Sequence, residues 1–387
     1  MPHEVVGNLH MHTPYSDGEG YHAEIAAAAA DAGLDFVAVT DHNVWVRGPQ
    51  GYQQGVLVLV GEEVHNPRRW PQVNHLLVYG AEAEMSQCAA DPQRLIDAVR
   101  ERGGLAFIAH PYDYALKFMH EPGIPWVDWD VAGYHGLEIW NYMSEFKTRL
   151  PNKLLAAWYA RRPHLAIRGP FKATLNLWDQ LLAAGERVTG FGNADAHATP
   201  FLMGPFKQVI FPYAYLFRCV NTHLLIEEMF TGNVAHDSAQ VYQALATGRG
   251  WVGYDLIGST RGFRFTARSA SEVAGLGGEI RRVGAVNFEV ETPLPATIQV
   301  VKAGRGPIVQ VKNKRRPALH VGGGGRLSRG GVPARARLDL QQSDLCVVAA
   351  SRESTPTVVH DCTPRPHPRH QPQFQPLRVN ASGPHPD

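Results

Sequence analysis

Histidine, aspartate and glutamate recur in six short clusters along this chain: His10-Met11-His12, Ser16-Asp17-Gly18, Thr40-Asp41-His42, Gly61-Glu62-Glu63, Ala109-His110-Pro111 and Asp195-Ala196-His197. Imidazole nitrogen and carboxylate oxygen are the ligands that hold Zn²⁺, Mn²⁺ or Fe²⁺, and one such ion takes about four to six of them. More than six ligands converging on one place would hold two or three ions. A water bound to Zn²⁺, or bridging two ions, has its pKa lowered to about 7, so the chemistry on offer is hydrolysis by hydroxide at neutral pH. The two histidines of His10-Met11-His12 share one face of a strand. Alone, such a pair reads equally as two satisfied polar residues on an edge strand. Recurrence of ligand types is what gives it meaning.

Each cluster follows or ends a run that reads as a buried strand. Residues 36–40 deliver Asp41 and His42, 56–60 deliver Glu62 and Glu63, 105–109 end at His110, and 188–192 lead to Asp195 and His197. In parallel α/β folds the strands are continuous apolar runs, and functional groups gather where their C-terminal ends open into loops. Ligand-type residues at successive strand ends are hard to explain by packing. Helices are expected between the strands, at 21–33 and 92–103, each closed by a glycine. The alternation suits a β/α barrel. Residues 141–186 exceed an ordinary connection and contain two further helices, at 153–161 and 174–184. They form an insertion beside the site, where substrate choice usually lies.

The order His10-Met11-His12, Thr13-Pro14-Tyr15-Ser16-Asp17-Gly18, Val39-Thr40-Asp41-His42-Asn43, Gly61-Glu62-Glu63-Val64, His110-Pro111, Asp195-Ala196-His197 resembles the PHP (polymerase and histidinol phosphatase) metal-dependent hydrolases over roughly residues 5–250. Gly61-Glu62-Glu63-Val64 and Leu137-Glu138-Ile139-Trp140-Asn141 look most like the branch that includes carbaryl hydrolase, alongside the nucleotide phosphatases of the superfamily. The resemblance implies a distorted seven-stranded β/α barrel with a di- or trinuclear site, and leaves the substrate open. It implies metal ligands at His10, His12, Asp17, His42, Glu63, His75, His110, Asp195 and His197, with Glu63, Asp195 and His197 carrying the catalysis. The ions expected are zinc, manganese or iron, two to three of them.

Each assignment has a plainer competitor. Asp17 precedes a glycine and could be a turn residue. Glu63, not Glu62, fits the family's Gly-x-Glu pattern, and Glu62 would point the other way on an extended chain. His75 could be a capped core histidine. Asp41 is expected behind the ligands, orienting a histidine, and Glu138 is expected there too. The three acids Asp17, Glu63 and Asp195 would repel one another without cations. Lys147, Arg149, Arg168, Lys172 and Lys207 lie in or near the insertion and could grip a phosphate, Arg168 and Lys172 being the choice, although surface placement is the commoner fate of such residues. His3, His22, His65, His120, His135, His164, His223 and His236 match no motif and read as surface or loop residues.

Composition narrows the rest. A net charge of +1 over 387 residues gives no footprint for a nucleic-acid polymer. No run of about 18 apolar residues exists to span a membrane. A first strand starting at Val5 leaves no room for a signal peptide, and Cys88, Cys219, Cys346 and Cys362 are widely spaced with no Cys-x-x-Cys, so the cytoplasm is expected. The natural partition is a barrel over 1–254, a partial β-sandwich-like module over 255–305 and a low-complexity stretch over 306–387, read as disordered or out-of-frame. The reading favoured is a phosphoesterase acting on a small phosphorylated molecule or nucleotide. A carbamate, ester or amide hydrolase using the same metals is the rival. A non-catalytic metal-binding regulatory module is the alternative of another class, and the full ligand set argues against it.

Overall fold

Largely apolar strands need cover on both faces, and in this fold nine strands are buried along most of their length. In the computed structural model, which describes residues 2–203, 206–209, 211–280, 286–312, 318–322, 345–351 and 355–361, they are β1 (His3–Asn8), β2 (Phe36–Val39), β3 (Val56–Val64), β4 (Leu76–Tyr79), β5 (Leu105–Ile108), β6 (Gly136–Asn141), β7 (Thr189–Asn193), β8 (Val220–Ile226) and β9 (Gly250–Tyr254). They hydrogen-bond in the order β9-β8-β1-β2-β3-β4-β5-β6-β7. The two arms of the sheet approach each other where Thr222 Oγ1 of β8 donates to the Gly192 carbonyl of β7 (2.8 Å) and accepts from its N–H (3.1 Å), giving a nearly closed barrel.

The barrel fits the expected class, with a different strand count. Seven strands were implied and nine are present, because β8 and β9 join the free edge of β1 as an antiparallel pair. β4 also runs antiparallel to both β3 and β5, while the remaining neighbours are parallel. Strand parity sorts the core into two clusters. Leu9, Phe36, Leu59, Leu77, Phe107 and Phe191 meet from all around the sheet, with Val241 and Leu245 of a helix closing one side. Val37, Val58 and Val78 face the other way, against Ile25, Leu95 and Ile96 of surrounding helices.

Those helices are α1 (His22–Ala32), ended by Gly33 at φ 78°, and α2 (Pro92–Glu101), whose first turn is capped by the Asp91 carboxylate accepting the Arg94 N–H. The insertion holds three helices rather than two: α3 (Tyr142–Thr148), α4 (Lys153–Arg161) and α5 (Lys172–Ala183). α3 starts directly from β6 because the Asn141 side chain accepts the Ser144 N–H, an Asn cap that apolar periodicity does not reveal. α6 (Val234–Ala246) follows β8.

Beyond the barrel, β10 (Arg264–Arg268), β11 (Asn287–Glu291) and β12 (Ala296–Lys302) alternate buried residues with half-buried or exposed ones. Phe263, Phe265, Phe288, Val290, Ile298 and Val300 form one cluster with Leu225 and Trp251 of the barrel strands. Within 306–387 the structure has strands at Gly306–Lys312, Ala318–Gly322, Leu345–Ser351 and Thr355–Asp361, and the remainder of that stretch lies outside the described residues. Among the described residues no helix is long and apolar enough to cross a membrane.

Candidate metal centre

The ligand-type residues meet at one end of the barrel, brought there by strand ends. β3 is nine residues long and buried throughout, and its alternation puts Glu63 and Glu62 on opposite faces. Glu62 accepts the Met85 N–H (2.7 Å), and burial pushes its carboxyl up to about 7 against that hydrogen bond. Glu63 faces five imidazoles. Its Oε1 lies 2.7 Å from His75 Nδ1 and 3.0 Å from His110 Nε2, and its Oε2 lies 2.9 Å from His10 Nε2, 3.2 Å from His12 Nε2 and 3.3 Å from His42 Nδ1.

The chain around this carboxylate is stitched by short parallel bridges, Met11 with Ala196 and His42 with Glu63. Through them Asp195 Oδ1 comes within 3.3 Å of both His10 Nε2 and His12 Nε2. Asp17 sits at the exposed rim, 3.4 Å from His197 Nε2 and 3.6 Å from His42 Nε2 and His12 Nδ1. Four overlapping groups result among the described residues, each tight enough for one ion: His10, His12, Glu63 and Asp195; Glu63, His75 and His110; His12, Asp17, His42 and His197; and His42, His65 and His75. All nine residues named for metal are therefore together. His12 Nε2, His42 Nδ1 and His110 Nδ1 are buried and make no directed hydrogen bond, although carboxylates stand close to the first two. His12 Nε2 and His42 Nδ1, buried beside carboxylates without a directed hydrogen bond, fit a metal between them.

The polar groups behind them fix the ring orientations. His75 Nε2 lies 2.8 Å from the Gln72 carbonyl and His197 Nδ1 2.9 Å from that of Asp195; protons on those nitrogens leave the other nitrogen of each ring as a ligand. Glu138 is fully inside, 3.0 Å from His10 Nδ1, and accepts the His110 N–H and the Asn141 amide. Asp41 does different work from that expected. Its carboxylate accepts the Thr13 N–H, the Thr13 hydroxyl and the Ser16 hydroxyl, each at 2.7 Å, so it clamps the loop that carries Asp17 instead of orienting a histidine.

Electrostatics follow from this crowding. Burial opposes the imidazolium of His10, yet Asp195, Glu63 and Glu138 outweigh it and hold its pKa well above the usual value. His12 rises likewise, against burial, to about 9 beside Asp195 and Glu63. Burial disfavours the charges of Glu63 and Asp195, but the histidines hold both well below the carboxylate range. The backbone is strained at the same place: His110 has φ 25°, Asp195 φ 56° and Ala198 φ 55°.

Two expectations change. Arg168 and Lys172 are exposed and do not reach the cavity over the metal end; the Glu145 carboxylate takes the backbone N–H groups of Arg168 and Gly169 and pins that turn away from it. Lys147 and Lys153 line the cavity instead. Lys207 lies outside the residues whose side chains are described. His65, read as ordinary, is buried, its ring stacked on His75 at 4.3 Å and edge-on to His42 at 5.0 Å. Burial, with His75 adding to it, lowers its pKa to about 4. The signal was there: His65 follows Glu63 by two residues, the same spacing as His10 and His12.

Residues 8–165 match the PHP domain family. No match is found among curated proteins. Among solved structures, a two-domain protein from Bacteroides vulgatus containing a predicted PHP-like metal-dependent phosphoesterase aligns at 14% identity and TM-score 0.37, over 83% of this chain and 87% of its own. A candidate metal-dependent phosphoesterase from Bifidobacterium adolescentis aligns at 15% identity and TM-score 0.27, over 54% of this chain and 94% of its own. An amidohydrolase from Chromobacterium violaceum with bound sulfate aligns at 14% and 0.27, over 49% and 87%. On the family match residues 8–165 are a PHP domain, and the ligand-type residues gathered at its barrel end are of a kind that could hold metal ions.

Proposed function

We propose that the chain is a phosphoesterase acting on a small phosphorylated molecule in the cytoplasm, with two to three divalent ions held by the nine ligands above. The observation that carries this is Glu63 amid five histidines, with only Asp17 and Asp195 as further carboxylates among the ligand groups. Two or three divalent ions bring about four to six positive charges against those three carboxylates, so the loaded centre favours an anionic reacting group. When bound, such ions supply a nucleophile at neutral pH and neutralise phosphate oxygens. The protein's own part is to hold the ligands: Glu138 and the two backbone carbonyls fix ring orientation, and Asp41 keeps Asp17 at the open rim. Asp17 and His197 are the more exposed of the ligands, so the substrate approaches from their side.

One observation favours the carbamate, ester or amide reading. The cavity over the centre is largely apolar, and Lys147 in its wall is already paired. The two readings part in a simple assay. Protein loaded with Zn²⁺, Mn²⁺ or Fe²⁺ should hydrolyse p-nitrophenyl phosphate, with inorganic phosphate as a competitive inhibitor. Turnover of p-nitrophenyl esters or aryl carbamates alone, unaffected by phosphate, would replace the phosphoesterase by its rival.

A further inference from the structure

The cavity that ends on the metal centre has a volume of about 660 Å³, in the range that encloses a small organic ligand. At one end stand the ligands Asp17, Glu63, His110 and His197. The other walls are Leu116, Met119, Ile124, Phe146, Leu150 and Phe211. Away from the ligands its charged groups are Asp113, Glu121, Lys147 and Lys153, two of each sign. Lys147 Nζ donates to Asp113 Oδ1 (2.7 Å) and Glu121 Oε1 (3.0 Å). Asp113 in turn accepts the Ser144 hydroxyl (2.7 Å) and the Ile124 N–H (3.0 Å). Asp113, Glu121 and Lys147 are occupied with one another, and Lys153 is exposed at the solvent side. A second charged group in the substrate would meet no unpaired buried counter-charge there.

The helix over this space supports the same conclusion independently. α4 buries no residue fully: Tyr159 packs partly against the core, while Ala156, Ala157 and Ala160 border the cavity. A nine-residue helix with so little tertiary packing gains little stability of its own. Its small side chains leave the room that an apolar occupant would fill, and such an occupant would pack against the alanine face that borders the cavity.

From the paired charges and this alanine face we infer that the group beyond the scissile bond is apolar: the substrate is a phosphomonoester of an apolar alcohol or phenol, not of a nucleoside. This rests on the phosphoesterase reading for its phosphate and on the cavity for its alcohol. In the reaction the bond from phosphorus to the alcohol oxygen breaks, a water oxygen takes its place, and a proton passes to the departing oxygen. Inorganic phosphate and the free alcohol result. A nucleoside in the same place would bury hydroxyls and ring nitrogens against leucine and phenylalanine, each stripped of water without a partner.

The test uses the full chain and the alcohol alone, so its main readout does not depend on turnover. By isothermal calorimetry 4-butylphenol should bind with a negative heat-capacity change, and adenosine should not bind detectably. Ala157→Trp, which fills the space under α4, should weaken 4-butylphenol by about 10-fold or more with metal content unchanged. Should that variant fail to fold, Met119→Glu at the exposed rim should weaken it likewise. With metal loaded, 4-butylphenyl phosphate should exceed adenosine 5′-monophosphate in kcat/KM by about 10²-fold. Tight adenosine binding with none of 4-butylphenol, or a preference for the nucleotide, overturns the inference. Binding of 4-butylphenol with turnover of its acetate and not its phosphate leaves the apolar subsite standing and removes the phosphoesterase reading.

Discussion

Glu63 is the residue whose loss should matter most, because both of its oxygens are shared among imidazoles that belong to different ligand groups. Glu63→Gln keeps the shape and removes the charge that offsets the cations, so kcat should fall by about 10²-fold or more. Glu62→Gln should change kcat little, since Glu62 faces the other side of β3 and burial already favours its neutral form. Equal losses in the two variants would mean that the register of β3 is misread. Much of this was legible from spacing, because a carboxylate or histidine two residues from another shares its face in a strand. The same spacing points to His65, which belongs to none of the family motifs. Asp41 was harder. Its partners Thr13 and Ser16 are hydrogen-bonding residues common in any turn, and nothing in their identity says that a carboxylate 25 or more positions away will hold them.

At the level of elements, the apolar runs and glycine stops located the strands and α1 and α2 well, since burial and capping are local consequences of sequence. α3 was not legible, being seven residues set up by one asparagine side chain. The extra strands β8 and β9 are another matter: pairing across more than 200 positions is a property of the closed sheet, not of either segment. Their junction makes a prediction. His223 on β8 lies between Glu4 of β1 (3.1 Å) and Asp255 after β9 (3.0 Å), stacked on Trp251, while Arg264 of β10 bonds Glu4. Burial opposes its charge, but Asp255 and Glu4 raise its pKa above the ordinary 6.5, so the stability it gives is full below about that pH and is lost as pH rises through the raised value. Burial likewise opposes Glu4 and Asp255, yet His223 and the surrounding donors lower both from 4.5 and 3.8, so their contribution fades only in acid. In urea unfolding, wild type should exceed His223→Gln by most between roughly pH 4.5 and 6.5, and the gap should narrow in alkali. A gap that widens with pH would show that His223 is held neutral.

For the molecule as a whole, metal and fold are one system. Nine candidate ligands drawn from segments spread between His10 and His197 mean that ions held there would cross-link most of the barrel. Elemental analysis of chelator-free protein should find about two to three transition-metal ions per chain. Since ions bind the folded state alone, free metal at about 100-fold over its Kd adds about 2.7 kcal/mol, and chelation should lower Tm in step with activity. Loss of activity on chelation with Tm unmoved would mean that the ions do not bridge the strands. Substrate recognition was the least legible level. It depends on which side of the insertion faces the centre, and the basic residues that sequence offered, Arg168 and Lys172, are exposed outside the cavity, Glu145 holding the backbone of Arg168 and Gly169 away from it.

The left-handed backbone at Ala198, one residue past His197, sets thermal robustness against catalytic fitness. Alanine there costs roughly 1–2 kcal/mol that glycine would not, against about 0.5–1 kcal/mol of extra chain entropy for glycine. Ala198→Gly should therefore melt no lower than wild type as the metal-free protein, and still bind metal more weakly, because the turn that aims Asp195 and His197 is free to wander. Thermal-shift and metal-titration measurements on the one variant would read both, and a fall in both together would assign Ala198 an ordinary packing role. Laboratory selection for heat resistance alone would accept that substitution and drift away from a working enzyme, so any stabilised descendant of this protein should be chosen with metal affinity scored alongside.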